Sequence, residues 1–145
     1  MRKKLTILAV MLALVLGGYY GLKSLSPKTQ KGEKVIYITL IDEIEGVVLI
    51  DKQAYNTNVE TLGHFFDEDH PGIVVVLKDF GFGRSIEEFN GLVGDMSSAN
   101  GPWIFYESEN NQACLAAGYC SGIDDLPIYD GDHFVFKYSD ASLFD

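Results

Sequence analysis

The chain has 145 residues, of which 21 are acidic and 11 basic, for a net charge of −10. That length suits one ordinary domain with a real core. The acidic balance speaks against nucleic acid and anionic lipid as partners.

Arg2, Lys3 and Lys4 come first, followed by an apolar run from Leu5 to Leu22 broken only by Thr6 and glycines. Such a run cannot be left in water, so residues 1–22 are expected to be a signal peptide or a signal anchor. As a helix the run would be roughly 27 Å long, near the thickness of a bilayer core. The basic residues favour the cytoplasmic side. The membrane is thus the first expected partner, through residues 5–22. The remainder of the chain is expected outside the cytoplasm, as a single-pass cell-membrane protein or, after cleavage, a secreted one. Val15 and Gly17 could direct a cut before Gly18. If the run is kept, Tyr19 and Tyr20 can form an aromatic belt at the outer interface. Residues 23–33 are polar and basic, with no hydrophobic period, and read as a flexible linker. The exported domain is then 34–145. Beyond Lys34 there are four basic and twenty acidic residues, a net of −16, which suits solubility outside the cell.

Val35 to Leu40 alternates and is β-branched, which predicts a strand. Asp42 to Gly46 reads as a turn, and Val47 opens a second strand running to about Tyr55, so the two should form a hairpin. Thr57 or Asn58 can cap a helix whose apolar face is Val59, Leu62, Phe65 and Phe66. Pro71 and Gly72 end it. Ile73 to Leu77 is a continuous apolar run, expected as a central strand buried on both faces. Ser85 to Leu92 is open between strand and helical turn. Trp103 to Tyr106 is a strand, and a long loop is expected from about Glu109 to Tyr129. His133 to Tyr138 alternates and closes the domain as a last strand. The class is α+β: a hairpin, one helix crossing the sheet, and later strands joining it, which is the β-grasp pattern.

From Lys34 to Ser139 the chain resembles the transcobalamin-like C-terminal domain family, a small β-grasp-type module of exported bacterial proteins, most without an assigned function. The matching features are the opening hairpin, the single helix, Gly101 to Tyr106 with its Gly-x-Trp, and Tyr129 to Asp132 before a last strand ending in Lys137 and Tyr138. Two departures stand out. The family's Asn-Gly turn after the tryptophan strand is replaced by Glu107, Ser108, Glu109, Asn110 and Asn111. The following loop is enlarged by Cys114 to Cys120. In animal cobalamin carriers this domain closes over the cofactor with a large helical domain, which has no counterpart in this chain. The resemblance implies the fold, and cobalamin or another corrinoid only through the family. No cofactor is expected from the residues themselves.

Cys114 and Cys120 are the only cysteines, and export favours a disulfide between them. Asp124, Asp125, Asp130 and Asp132 could offer oxygens to calcium, but their spacing is not an EF-hand loop and Asp-Gly makes turns by itself. His64, Asp67 and Glu68, with His70 nearby, have zinc-compatible helical spacing but read as a solvated helix end. No metal site is expected. Gly81 to Gly83 is too short for a phosphate loop, and a nucleophile elbow is absent. With no acid, base and nucleophile brought together, no catalytic residues and no enzyme are expected. Alternation puts Trp103 and Phe105 on one face, expected in the core, and Tyr106 on the other. Tyr106 and Tyr119 are the expected exposed aromatics. The candidate ligand-binding residues are Trp103, Tyr106, Tyr119, Asn110 and Asn111, on or beside the bridged loop. These point to a non-enzymatic binding module for a small ligand. The alternative is a surface protein as partner, in an assembly module with no small-molecule site. The first predicts an aromatic hollow near Tyr106 and Tyr119, the second a flat apolar patch or an open sheet edge.

Overall fold

A computed structural model describes residues 2–25 and 28–140, with side chains from Thr6 to Gly21 and from Lys28 to Asp140. The class is α+β, as expected. Helix α1 spans Arg2–Leu25. Its described side chains, Ile7, Leu8, Met11, Leu14 and Val15 among them, are exposed on every side. Among the described residues no helix is long and apolar enough to cross a membrane.

Strands β1 (Lys34–Asp42) and β2 (Val47–Thr57) form the expected hairpin. Period-2 alternation sends Ile36, Ile38 and Leu40 inward, where all three are fully buried. The last strand, β7 (His133–Ser139), sends Phe134 and Phe136 to the same side. It pairs with β1 in parallel, Tyr37 opposite His133 and Thr39 opposite Val135. Strand β6 (Trp103–Glu107) pairs antiparallel to β7. The sheet order is therefore β2-β1-β7-β6.

The chain between β2 and β6 supplies the cover. Helix α2 spans only Leu62–Asp67, and its cap is Thr61, whose side chain accepts from the His64 amide. The expected caps, Thr57 and Asn58, do not serve. Thr57 still belongs to β2 and donates its hydroxyl to Glu68 at 2.9 Å. The backbone bridge between Thr61 and Pro127 fixes the later start. Gly63 has a packing reason: a Cβ there would sit 2.4 Å from Asp124 Oδ1 and 3.1 Å from its Cα.

Strands β3 (Val75–Asp79), β4 (Arg84–Phe89) and β5 (Leu92–Val93) make a second sheet in that order. The Ile73 to Leu77 run is thus no central strand. It enters an edge strand of the small sheet, with Val74 and Val76 exposed. An apolar run cannot by itself tell two buried faces from one buried and one bare. Ser85 to Leu92 resolves as strand, an Asn90–Gly91 turn with both residues at positive φ, and strand.

The core lies between the sheets. Leu62 and Phe65 of α2, Ile86 and Phe89 of β4, and Ile123, Leu126 and Ile128 meet Phe134 and Phe136. The expected long loop holds a short helix, α3 (Gln112–Ala117), capped by Asn111. Cys114 and Cys120 form the disulfide. The chain-entropy relation gives this small ring about 2 kcal/mol. A Cys114→Ser/Cys120→Ser variant should lose about that much in urea unfolding, and a loss near zero would mean the bridge adds nothing to the hydrogen bonds around α3.

Part of the stretch read as linker is bonded to the domain. Thr29 donates to Glu60 at 2.7 Å, and Gln30 accepts from the Asp130 amide at 2.8 Å. Charge and polarity suggest a spacer, yet these short polar side chains find fixed partners.

Candidate functional site

The face of the four-stranded sheet away from the core is built by the outward residues of three strands. Tyr37 and Thr39 come from β1, His133, Val135 and Lys137 from β7, and Trp103, Phe105 and Glu107 from β6. At one end of this face lies an open cavity of about 470 Å³. Tyr37, His133 and Val135 form its floor; Lys52, Glu107, Glu109, Asn110 and Gly131 form its sides.

Lys52 reaches the cavity through a backbone irregularity. The β1–β2 register shifts between Ile38 and Leu40, and Lys52 sits at φ 44°, a region that costs a non-glycine residue. Its amide donates to Thr39 Oγ1 at 3.0 Å, and its ammonium lies 5.6 Å from the Tyr37 ring centre. Thr39 Oγ1 is also 2.8 Å from His133 Nε2. Thr39 and His133 thus share one hydrogen bond whose direction follows the tautomer of the ring. Burial first, and the Lys52 charge second, hold His133 below the usual imidazole range, with Glu109 and Asp51 opposing. A neutral imidazole therefore lies beside a lysine cation.

Asn110 fixes the rim. Its Oδ1 accepts from the His133 amide at 2.9 Å and its Nδ2 donates to Gly131 O at 2.9 Å. Lys137 closes the next position with a 2.5 Å ion pair to Glu107, which raises its pKa.

The sequence-predicted residues separate into different places. Asn110 lines the cavity. Asn111 does not: it is 0% exposed and fully engaged. It caps α3 through the Cys114 amide at 3.0 Å and donates to Pro127 O at 2.9 Å and to Asp132 Oδ2 at 2.5 Å. Tyr106 is not the exposed aromatic expected. Its ring packs against the core beside Phe136, and its hydroxyl donates to Ser121 O at 2.6 Å. Burial pushes its pKa up to about 12. Trp103 and Phe105 share a face as expected, but it is the outer one, with ring centres 5.7 Å apart. Trp103 Nε1 donates to Asp95 O and Ser98 O at 3.0 and 3.1 Å. Alternation fixes which residues go together and leaves the direction open, and here Ile104 and Tyr106 took the core side. Phe105 and Tyr106 border a smaller hollow of about 240 Å³ with Val135 and Lys137. Tyr119, 70% exposed beside Cys120, lines neither space.

Tyr37, Lys52 and His133 were not among the ligand-binding residues expected from sequence. The outward parity of Tyr37 and of His133 was readable; the bulge that brings Lys52 to them was not.

Three of the four aspartates, Asp124, Asp130 and Asp132, work as structural groups. Asp124 accepts from the Arg84 amide at 3.0 Å and from its guanidinium at 2.7 and 2.9 Å, which holds its carboxyl below the usual range. Arg84 also binds Asp67 at 2.6 Å. Asp130 accepts from the Val35 amide, and Asp132 from the Tyr129 amide, both at 2.8 Å. His64 bonds Thr61, and His70 stacks on Phe65 with ring centres 3.9 Å apart. Among the described residues no group of three or more His, Cys, Asp or Glu side chains is placed to hold a metal ion.

No family model matches the sequence, and no curated protein matches it. A solved structure is among those similar in fold. It is described as a "putative metal binding protein" from Ruminococcus gnavus ATCC 29149. The TM-score is 0.52 at 18% identity, over 74% of this chain and 97% of that one. At this identity the likeness shows the fold alone.

Proposed function

We propose that the chain is an extracytoplasmic, non-enzymatic binding module that takes a small ligand at the cavity of Tyr37, Lys52, Asn110 and His133. The observation that carries this is the convergence of four separate stretches of chain on one open, polar space with an aromatic floor. Tyr37 offers a ring face, Lys52 a cation, and His133 a neutral imidazole, a set suited to a flat ligand with an acceptor or anionic group.

The location is part of the same reading. The sequence run from Leu5 to Leu22 is apolar all round, and a helix of that kind is at home only in a core or a membrane. Residues 1–22 then anchor the domain or export it, and the disulfide suits that compartment. The sheet order, with a parallel pair between two antiparallel ones and a helix after the first hairpin, is the arrangement a β-grasp domain of the transcobalamin-like family would have. That supports testing corrinoids first. The metal named for the structural neighbour finds less support, because among the described residues no three His, Cys, Asp or Glu side chains are placed together to hold an ion.

The test is a thermal-shift screen of the full chain in detergent with cobalamin, a porphyrin, calcium and zinc. A ligand at 100 times its dissociation constant stabilises by about 2.7 kcal/mol. A shift is expected with an organic ligand and none with either metal, and Lys52→Ala should abolish it. A shift with calcium or zinc alone would sink the cavity reading. Silence throughout would favour the second reading, an assembly module. That one has its own observation: β2 is an edge strand whose Val47, Val48 and Leu49 are exposed.

A further inference from the structure

The cavity of Tyr37 and Lys52 does not end at its own walls. Val135 and Glu107, which border it, also border the smaller hollow beside Phe105 and Lys137. The two spaces follow one another along the outer sheet face. Tyr37 stands opposite His133, Glu107 opposite Val135, and Phe105 opposite Lys137, so successive rungs lead from the cavity to the hollow. Lys137 is four residues past His133, and at about 3.3 Å per residue the track is about 13 Å long. Its first end is polar. Its far end carries the Phe105 ring, with the centre of Trp103 5.7 Å from it.

Lys52 differs from the other cations of the domain. Four basic residues follow Lys34, among twenty acidic ones. Three of the four are paired: Lys78 with Glu87, Arg84 with Asp67 and Asp124, and Lys137 with Glu107. Lys52 has no ion-pair partner among the described residues, although carboxylates abound. Its ammonium lies instead 5.6 Å from the Tyr37 ring centre, on a backbone held at φ 44°. A costly backbone position that brings an unpaired cation to a cavity reads as a functional one.

We infer that the ligand of this cavity is an amphipathic monocarboxylate, with its carboxylate at Lys52 and its apolar body laid over Val135 toward Phe105; the inference rests on the cavity being the binding site. Two further observations narrow the class. Glu107 and Glu109 also border the cavity, and like charges work against a dianion such as a phosphate monoester. Glu107 is neutralised by Lys137, so the passage between the two spaces is walled by a closed ion pair, which an apolar group can cross at little cost. Hollows of about 470 and 240 Å³ suit a small molecule with one aryl group or a short chain.

The experiment titrates the full chain in detergent with phenylbutyrate, its neutral amide and acetate, and follows the emission of Trp103, the single tryptophan. Phenylbutyrate should change that emission saturably, and the amide should bind about tenfold more weakly for want of a charge-assisted bond. Lys52→Ala should remove the preference for the acid, which also separates binding from uptake by detergent. Val135→Thr, a change of nearly equal volume, should weaken phenylbutyrate several-fold by placing a hydroxyl under the apolar body. Acid and amide that bind alike, or no binding of either, would overturn the inference. Acid binding that Lys52→Ala abolishes, Val135→Thr leaves unchanged and acetate displaces at equal concentration would overturn the amphipathic class and keep the cavity as the site. Acid binding indifferent to both substitutions would place it elsewhere and overturn both.

Discussion

Phe136→Ala is expected to cost about 4 kcal/mol of folding stability, within the range for emptying a buried aromatic site. The side chain is fully buried. Its ring centre lies 5.1 Å from Phe89, 5.6 Å from Phe66 and 5.6 Å from Tyr106. Those three belong to β4, α2 and β6, so one residue of β7 joins both sheets and the helix. Truncation would leave rigid rings facing a void they cannot fill. Urea unfolding followed by circular dichroism measures the loss, with Phe82→Ala as a surface control expected within about 0.5 kcal/mol. A loss near that of the control would mean the two sheets do not share this core.

The strands that hold Phe136 and its partners were legible because each alternates. Val35 to Leu40 and His133 to Tyr138 show period 2, and both fold as strands. Their parallel pairing is a long-range fact that no local pattern encodes. The helix after the hairpin was legible as Leu62, Phe65 and Phe66, but not in its start, since Thr57, Asn58 and Thr61 are all competent caps and the contact with Pro127 decides among them. Helix α3 was hidden by brevity: six residues give too little period to read.

The candidate site was less legible for a physical reason. Its residues come from β1, β2, β7 and the loop after β6, and only a bulge brings Lys52 to Tyr37. Aromatic residues drew attention to the Trp103 strand, yet that strand has aromatics on both faces. Parity then says nothing about which face is buried. Asparagines gave a mixed signal as well. Asn110 meets the cavity, while its neighbour Asn111 turns inward to a buried bond network.

That network should show itself in a pair of substitutions at Asp132. Oδ2 of this buried carboxyl accepts from Asn111 Nδ2 and from the Tyr129 amide. Asp132→Ala would leave two donors without an acceptor and should cost about 3 kcal/mol. Asp132→Asn keeps an acceptor oxygen and removes the buried charge, so its cost at neutral pH should stay within about 1 kcal/mol. The two donors favour the charged form, but burial outweighs them and raises the carboxyl above its usual value. The folded state therefore holds this proton more tightly than the unfolded chain does. Its contribution to stability is full below the unfolded pKa and is lost as pH rises through the folded one. Urea midpoints of the natural chain and Asp132→Asn, taken from pH 4 upward, should reveal this directly: the natural chain should lose ground to the variant as pH rises. An unchanged difference across that range would mean that Asp132 carries the same proton occupancy folded and unfolded. The network would then hold a fully charged carboxylate at no electrostatic cost.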